Sequence, residues 1–272
     1  MGYLTTEKKK VTVKTFVEMK RDGNKIAMLT AYDYTTARLI DEAGVDSILV
    51  GDSASNVMLG NDSTLPITLD EMIVYARGVA RGCQRALVVC DMPFGSYQVS
   101  PEEGVRNAVR LIRETGVDAV KLEGGEEVAP PIERIVNAGI PVVGHLGLTP
   151  QSIHKFGGYG VRARSEVEAT KLIADAQALE KAGCFAVVLE KIPASVAQQV
   201  TDLLSVPTIG IGAGSHCDGQ VLVYADAMGL TQGFEPKFLR EFAAMGEELR
   251  RGVRAYCEAV KGDEFPNESE SY

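Results

Sequence analysis

The stretch "ILVGDSAS", residues 48–55, holds the key to how this chain folds. Ile48, Leu49 and Val50 form an apolar, mostly β-branched run of the kind that fills a buried strand. Gly51, Asp52 and Ser53 follow at once, so a carboxylate stands where the strand stops. One such aspartate is an ordinary turn former. The arrangement recurs along the chain, however, and charged groups repeated at strand ends point to an active site at the open end of a parallel barrel.

Outward from this stretch, apolar runs at 26–30, 47–50, 86–90, 119–122, 142–144, 186–189, 208–211 and 227–230 read as strands. Helix-period segments separate them. In "SEVEATKLIADAQALEKAG", Val167, Leu172, Ile173, Ala176 and Leu179 share one face. Thr68 with Glu71, and Ser165 with Glu168, read as capping boxes. Ser100 reads as an N-cap before Pro101, with Glu103 completing the box. Gly44, Gly82, Gly116, Gly139 and Gly183 mark helix ends.

Eight such alternations close a parallel barrel. The expected fold class is α/β, a single (β/α)8 TIM barrel, with a helix near residues 11–19 covering its bottom. The rival, an open doubly wound sheet, calls for G-x-G-x-x-G after the first strand, where "TAYDYTTA" stands instead. No composition break marks a linker. Residues 1–272 therefore read as one domain with polar ends at about 1–10 and 262–272.

A chain of 272 residues, 45% of them hydrophobic, can bury a large core. The net charge of −9 and the lack of a long basic run argue against nucleic acid and anionic membrane as partners. "EKKK", residues 7–10, reads as a solvated segment. Five scattered cysteines without C-x-x-C argue against a disulfide framework or zinc site and fit a reducing cytoplasm. Cys90 and Cys184 read as core fillers. No apolar run approaches a membrane span, and "MGYLTTEKKK" lacks the apolar core of a secretory signal.

The strand ends, in order, carry Asp33, Asp52 and Ser53, Asp91, Lys121 and Glu123, His145, Glu190 and Lys191, the glycines of "GIGAG" at 210–214, and Thr231. Lys121 and Glu123 are two apart and so share a face. Asp52, Asp91 and Glu123 follow three successive strands and become neighbours on the rim. Carboxylates that converge in this way repel unless a cation holds them, and hard oxygens favour Mg²⁺. Each residue also has a plainer reading. Asp33 is best taken as an N-cap, and Glu123 can pair with Lys121. His145 is open to a structural or a catalytic role, while His154 and His216 have weaker claims. "GIGAG" is best explained by close packing, and "FGGYG", 156–160, is either a lid or a turn cluster.

Taken together, "VGDSASNVMLGNDSTLPITLDEM", "DMPFGSY", "VKLEGG", "GHLGLTPQSIHKFGGYGVRAR", "VLEKIP" and "IGIGAG" resemble the ketopantoate hydroxymethyltransferase (3-methyl-2-oxobutanoate hydroxymethyltransferase) family, in its order, over about residues 15–258. The resemblance implies a Mg²⁺-dependent barrel that makes 2-dehydropantoate from 3-methyl-2-oxobutanoate and 5,10-methylenetetrahydrofolate, on the path to pantothenate and coenzyme A. By position it implies Asp52, Asp91 and Glu123 as metal ligands. It implies Asp52, Ser53, Asp91 and Lys121 as substrate contacts, Glu190 as the proton acceptor, and His145 in the site region. It also implies a homo-oligomer, commonly a decamer. On this reading Mg²⁺ stabilises the enolate that forms when Glu190 removes the C3 proton, and Lys121 adds positive charge. A Mg²⁺-dependent lyase of the isocitrate lyase kind is the runner-up, but the expected "KKCGH"-like stretch is missing. A barrel without catalysis would have lost Glu190 or a metal ligand, and all of these are in place.

Overall fold

In a computed structural model, which describes residues 9–272, eight parallel strands pair in sequence order and the eighth returns to the first. They are β1 (Ile26–Thr30), β2 (Ser47–Val50), β3 (Leu87–Asp91), β4 (Ala119–Glu123), β5 (Val142–Gly147), β6 (Ala186–Glu190), β7 (Thr208–Ile211) and β8 (Gly219–Leu222). The (β/α)8 barrel is as expected. It lies in a compact unit ending at Val223, and Tyr224–Tyr272 form a second unit. Residues 1–8, which include the start of "EKKK" and most of the N-terminal polar stretch, lie outside the described residues.

Side chains alternate along each strand, and alternate positions face into the barrel. Ile26, Met28, Leu49, Leu87, Val89, Ala119, Val143, Ala186, Val188, Ile209 and Val221 fill its interior as one buried cluster. Carried two residues further, the same alternation reaches Asp91 after Val89, Lys121 and Glu123 after Ala119, His145 after Val143, and Glu190 after Val188. The charged layer at the mouth is thus the continuation of the apolar interior.

The opposite end is closed by the helix Val13–Arg21, as the sequence suggested. Its buried Phe16 meets Phe185 edge to face, with ring centroids 5.8 Å apart. Asp46, Asp118 and Asp218 directly precede β2, β4 and β8, and accept the backbone N–H of Ala27 (3.0 Å), Val88 (2.8 Å) and Thr208 (2.8 Å). Before β6 the equivalent place is taken by Phe185, which serves the apolar plug instead. Lys10 and Lys20 pair with Asp118 and Asp218.

The eighth strand is a correction. Residues 227–230 are not a strand: Ala227 closes the short helix Tyr224–Ala227, and Thr231 ends no strand. The true β8, "GQVL", contains a glycine and an exposed glutamine, so it lacks the apolar run used to find the others. Its glycine is required by packing, since a Cβ on Gly219 would lie 2.5 Å from Ile26 O. Four helix details also differ. Val167 is 81% exposed because it lies in the first turn of the helix Glu166–Lys181, on the side away from the barrel. The Ser165 and Ser100 hydroxyls cap their helices, but Glu168 turns to Arg162 and Glu103 makes no bond back to Ser100 N–H, so both boxes stay half-formed. Gly82 lies inside the helix Leu69–Gly82, which Cys83 caps. The Thr68–Glu71 box is complete, and Asp33 caps its helix through the N–H of Thr36 at 2.9 Å.

In the second unit the helix Met245–Lys261 starts with Glu247 and Glu248 and ends with Lys261, charges that suit its macrodipole. Among the described residues no helix is long and apolar enough to cross a membrane.

Candidate active site

The strand ends bring five of the sequence-selected residues into one buried cluster, with a sixth, Glu190, at its partly open edge. Lys121 Nζ lies 3.0 Å from Asp91 Oδ1 and 3.6 Å from Glu123 Oε1. Lys121 Nζ also lies 3.0 Å from His145 Nδ1, which is 3.1 Å from Glu123 Oε1. On the far side of the ring, His145 Nε2 lies 3.2 Å from Glu190 Oε2. That approach is close but out of line for a hydrogen bond, as is the Lys121 approach to Asp91 Oδ1. Asp52 sits in the turn after β2, where its N–H donates to Asp91 Oδ2 at 2.9 Å. Ser53 follows, its hydroxyl 2.7 Å from that of buried Tyr32.

Local backbone explains how Glu190 is aimed. Gly147, at the end of β5, has φ +92°, and a Cβ there would strike the Glu190 carbonyl. Only glycine lets these two strand ends approach so closely. Lys191, just after Glu190, takes the left-handed φ of 50° that turns the chain away.

Burial and like charge dominate the electrostatics. Burial, then the charges of Glu123 and Asp91, push the Asp52 carboxyl well above its usual range, against Lys121 and a hydrogen bond from Gln151. Burial also raises Asp91, although Lys121 opposes it. Glu123 differs: burial pushes it up, but the charges of His145 and Lys121, with hydrogen bonds from His145 and the Gln151 backbone N–H, outweigh this and lower it. Lys121 is raised, because Asp91, Glu123 and Asp52 outweigh the cost of burying its charge. His145 is raised to about 9: burial and Lys121 lower it, and Glu123 and Glu190 more than reverse that.

Two residues belong to this network that carried no role in the sequence reading. Gln151 donates from Nε2 to Asp52 Oδ2 and to Met92 O, each at 2.9 Å, and its backbone N–H donates to Glu123 Oε2 at 2.9 Å. Its Oε1 accepts from the hydroxyl of Tyr97 at 2.6 Å. Gln151 thus ties two carboxylates to each other. Both residues stand inside motifs quoted above, "GLTPQS" and "DMPFGSY", and that membership was the only signal in the sequence. His154 and His216 are exposed and stand outside the network. Gly210 of "GIGAG" is a packing glycine, since a Cβ there would lie 3.0 Å from Cys217 Sγ.

Among the described residues, no three acidic, histidine or cysteine side chains converge as a ready-made metal cage. Lys121 Nζ and Gln151 Nε2 stand among the carboxylates instead. The donor set still fits a hard divalent cation. Asp52, Asp91 and Glu123 are all buried, their oxygens are hard, and Asp91 Oδ1 makes no aligned hydrogen bond.

A family profile described as ketopantoate hydroxymethyltransferase matches residues 10–268, almost the whole chain. The chain belongs to this family. Relatives named 3-methyl-2-oxobutanoate hydroxymethyltransferase agree: one from Flavobacterium johnsoniae is 59% identical over 97% of both chains. Another, from Parabacteroides distasonis, is 60% identical over 98% of this chain and 97% of its own. Among solved structures, 2,3-dimethylmalate lyase, a PEP mutase/isocitrate lyase superfamily member, superposes with TM-score 0.58 at 17% identity, covering 96% of this chain and 91% of that one. Phosphonopyruvate hydrolase in complex with oxalate and Mg²⁺ gives 0.61 at 12% identity, covering 95% and 92%. At such identities these two establish the shared fold. The ketopantoate hydroxymethyltransferase profile also spans Gln151 and Tyr97, so the network they complete lies within the family's own extent.

Proposed function

We propose that this chain transfers a hydroxymethyl group from 5,10-methylenetetrahydrofolate to 3-methyl-2-oxobutanoate, giving 2-dehydropantoate for pantothenate biosynthesis. The observation that carries the reading is a division among four carboxylates. Asp52, Asp91 and Glu123 are buried together around Lys121, while Glu190 stands apart and partly open beyond His145. A reaction at the carbon next to a ketone needs both parts: a polar cradle for the oxygens and a separate base for the carbon-bound proton.

Asp52, Asp91 and Glu123 hold Mg²⁺, which supplies Lewis-acid polarisation of the substrate's keto oxygen. Lys121 presents a fixed cation to the negative charge that develops on substrate oxygen. Ser53, held by Tyr32, offers a hydroxyl to the substrate. Glu190 takes the proton from C3, and His145 steadies its carboxylate. The carbon that has lost its proton attacks the methylene carbon of the opened folate iminium. Water then replaces the folate nitrogen on that carbon, leaving the hydroxymethyl group and tetrahydrofolate. The same reading places the protein in the cytoplasm as a homo-oligomer, a decamer by family resemblance.

The test is an assay of purified protein with both substrates and Mg²⁺, with EDTA as control. Formation of dehydropantoate that EDTA abolishes is the expected result. No product with every component present would end the reading.

A further inference from the structure

The chain carries a net charge of −9, yet residues 154–165 contain His154, Lys155, Arg162 and Arg164 and no acidic residue. This segment follows β5, so it leaves the barrel at the mouth where the site opens. It is bonded to the segment that follows the proposed base. Arg162 N–H donates to Lys191 O at 2.9 Å, and Lys191 Nζ donates to Tyr159 O at 2.5 Å. Lys191 directly follows Glu190.

The four longer cations divide into two pairs. Arg162 stacks 4.2 Å above the Phe156 ring and pairs with Glu168, while Lys191 holds the Tyr159 carbonyl. These two frame the loop. Lys155 and Arg164 are exposed and have no ion pair or hydrogen bond through their side chains among the described residues. Between them Tyr159 is 48% exposed, flanked by Gly158 and Gly160, around which space is open.

Backbone strain gives an independent pointer. Among the described residues three non-glycine residues have positive φ. Two of them stand at the Arg162–Lys191 bond: Lys191 (φ 50°), whose carbonyl accepts it, and Ala163 (φ 54°), next to its donor. Ala163 is buried, so the loop is anchored at the point where it bends. Strained backbone of this kind persists at ligand clamps and active sites.

A framed loop with two free cations, an exposed aromatic ring and open space suits a ligand that is planar at one end and polyanionic at the other. We propose that residues 154–164 with Lys191 seat the glutamate tail of the folate co-substrate, with Lys155 and Arg164 taking its carboxylates. The proposal rests on the hydroxymethyl-transfer reading and specifies how its second substrate is held.

The test compares kcat/KM for methylenetetrahydrofolate bearing one and three glutamates, in the wild-type protein and in Lys155→Gln/Arg164→Gln. Wild type should favour the longer tail, and added salt should weaken that preference. Each lost exposed charge contact should lower kcat/KM for the triglutamate donor by up to about fivefold, bringing it to the monoglutamate level. Lys155→Glu/Arg164→Glu should reverse the preference. A simple loss of fold would lower both donors together, and circular dichroism on both variants would identify it. Equal tail preference in wild type and the folded double-glutamine variant would overturn the proposal and leave the hydroxymethyl-transfer reading intact. So would a wild-type protein indifferent to tail length. A wild-type protein that turns over neither donor would overturn both.

Discussion

His145 Nε2 lies 3.2 Å from Glu190 Oε2, and the other nitrogen of the same ring lies between Lys121 Nζ at 3.0 Å and Glu123 Oε1 at 3.1 Å. Nδ1 cannot serve both neighbours. As an acceptor it takes a hydrogen bond from Lys121 Nζ, and the ring proton then sits on Nε2, facing Glu190. As a donor it faces Glu123. The ring therefore links the charge around the carboxylate cradle to the carboxylate that stands apart. The Nε2–Glu190 approach is poorly aligned, and contacts of this kind tighten when substrate is bound.

The first prediction separates proton removal from carbon–carbon bond formation. In deuterated water, 3-methyl-2-oxobutanoate and Mg²⁺ should exchange the C3 proton without folate, followed by NMR. Glu190→Gln is nearly isosteric and should keep substrate binding while exchange falls by about 10²–10⁴-fold. His145→Gln should fall less, since it steadies the base and does not replace it. Exchange at the wild-type rate in Glu190→Gln would assign the proton to another group, His145 first.

Asp52 is the carboxylate on which the like charges of Glu123 and Asp91 weigh most. Without metal, Asp52→Asn should raise the melting temperature, because it removes a buried charge crowded by two others. A gain of about 1 kcal/mol corresponds to roughly 2–4 °C at this size. The wild type should gain stability on adding Mg²⁺, as any ligand of the native state provides, and both Asp52→Asn and Asp91→Asn should gain much less. Equal Mg²⁺ stabilisation in all three proteins, read by thermal melts with and without EDTA, would remove both aspartates from the metal site.

Lys121 is the ammonium that Asp91, Glu123 and Asp52 share. Lys121→Met should lose most turnover and destabilise the metal-free fold by about 3–5 kcal/mol, the usual cost of leaving buried charges unpaired. Mg²⁺ should recover more stability in this variant than in wild type. Lys121→Arg should not restore kinetics, since a planar fork cannot replace a point charge. Wild-type kcat and KM in Lys121→Met would reduce Lys121 to a structural ion-pair residue.

Gln151→Leu leaves Asp52 Oδ2 short of a donor in a buried place. A buried acceptor in that state costs about 1–3 kcal/mol, measurable by urea unfolding. Mg²⁺ affinity should fall too, because Asp52 loses the side chain that holds it beside Glu123, whose bond from the Gln151 backbone N–H remains. Unchanged affinity would make Gln151 a packing residue alone.

Phe16→Ala removes one side of the edge-to-face pair with Phe185 at the bottom of the barrel. It should cost about 3–5 kcal/mol of stability. Kinetics at 25 °C should be unaltered, because the plug lies at the end of the strands opposite the mouth. A changed KM for either substrate would show that the plug sets the position of the strand ends.

Much of this was legible in the chain because strand alternation is local. In "VVCD" Asp91 stands two residues beyond inward Val89, in "AVKLE" Lys121 and Glu123 stand two and four beyond inward Ala119, and that spacing is a property of the backbone. Asp33 was legible as an N-cap for the same reason, since its partner Thr36 is three residues away. The eighth strand was not legible. Its four residues need neighbours on both sides, and Gly219 fits there only because β1 and β7 press against it. Val167 was misplaced because helical period says which residues share a face, and not which of them a neighbour covers.

The sequence by itself determined seven of the eight strands and the identity of the charged residues at their ends, since both follow from short-range periodicity and residue type. Tertiary structure decided that Gln151, 99 residues from Asp52 along the chain, holds that carboxylate, and that Tyr97 supports Gln151 from another loop. It also decided that Lys121 lies against Asp91 as well as its own strand neighbour Glu123, and that His145 reaches Glu190. Such pairings are set by barrel closure, which brings distant strand ends within a few ångströms, and no local pattern encodes which side chains will then meet.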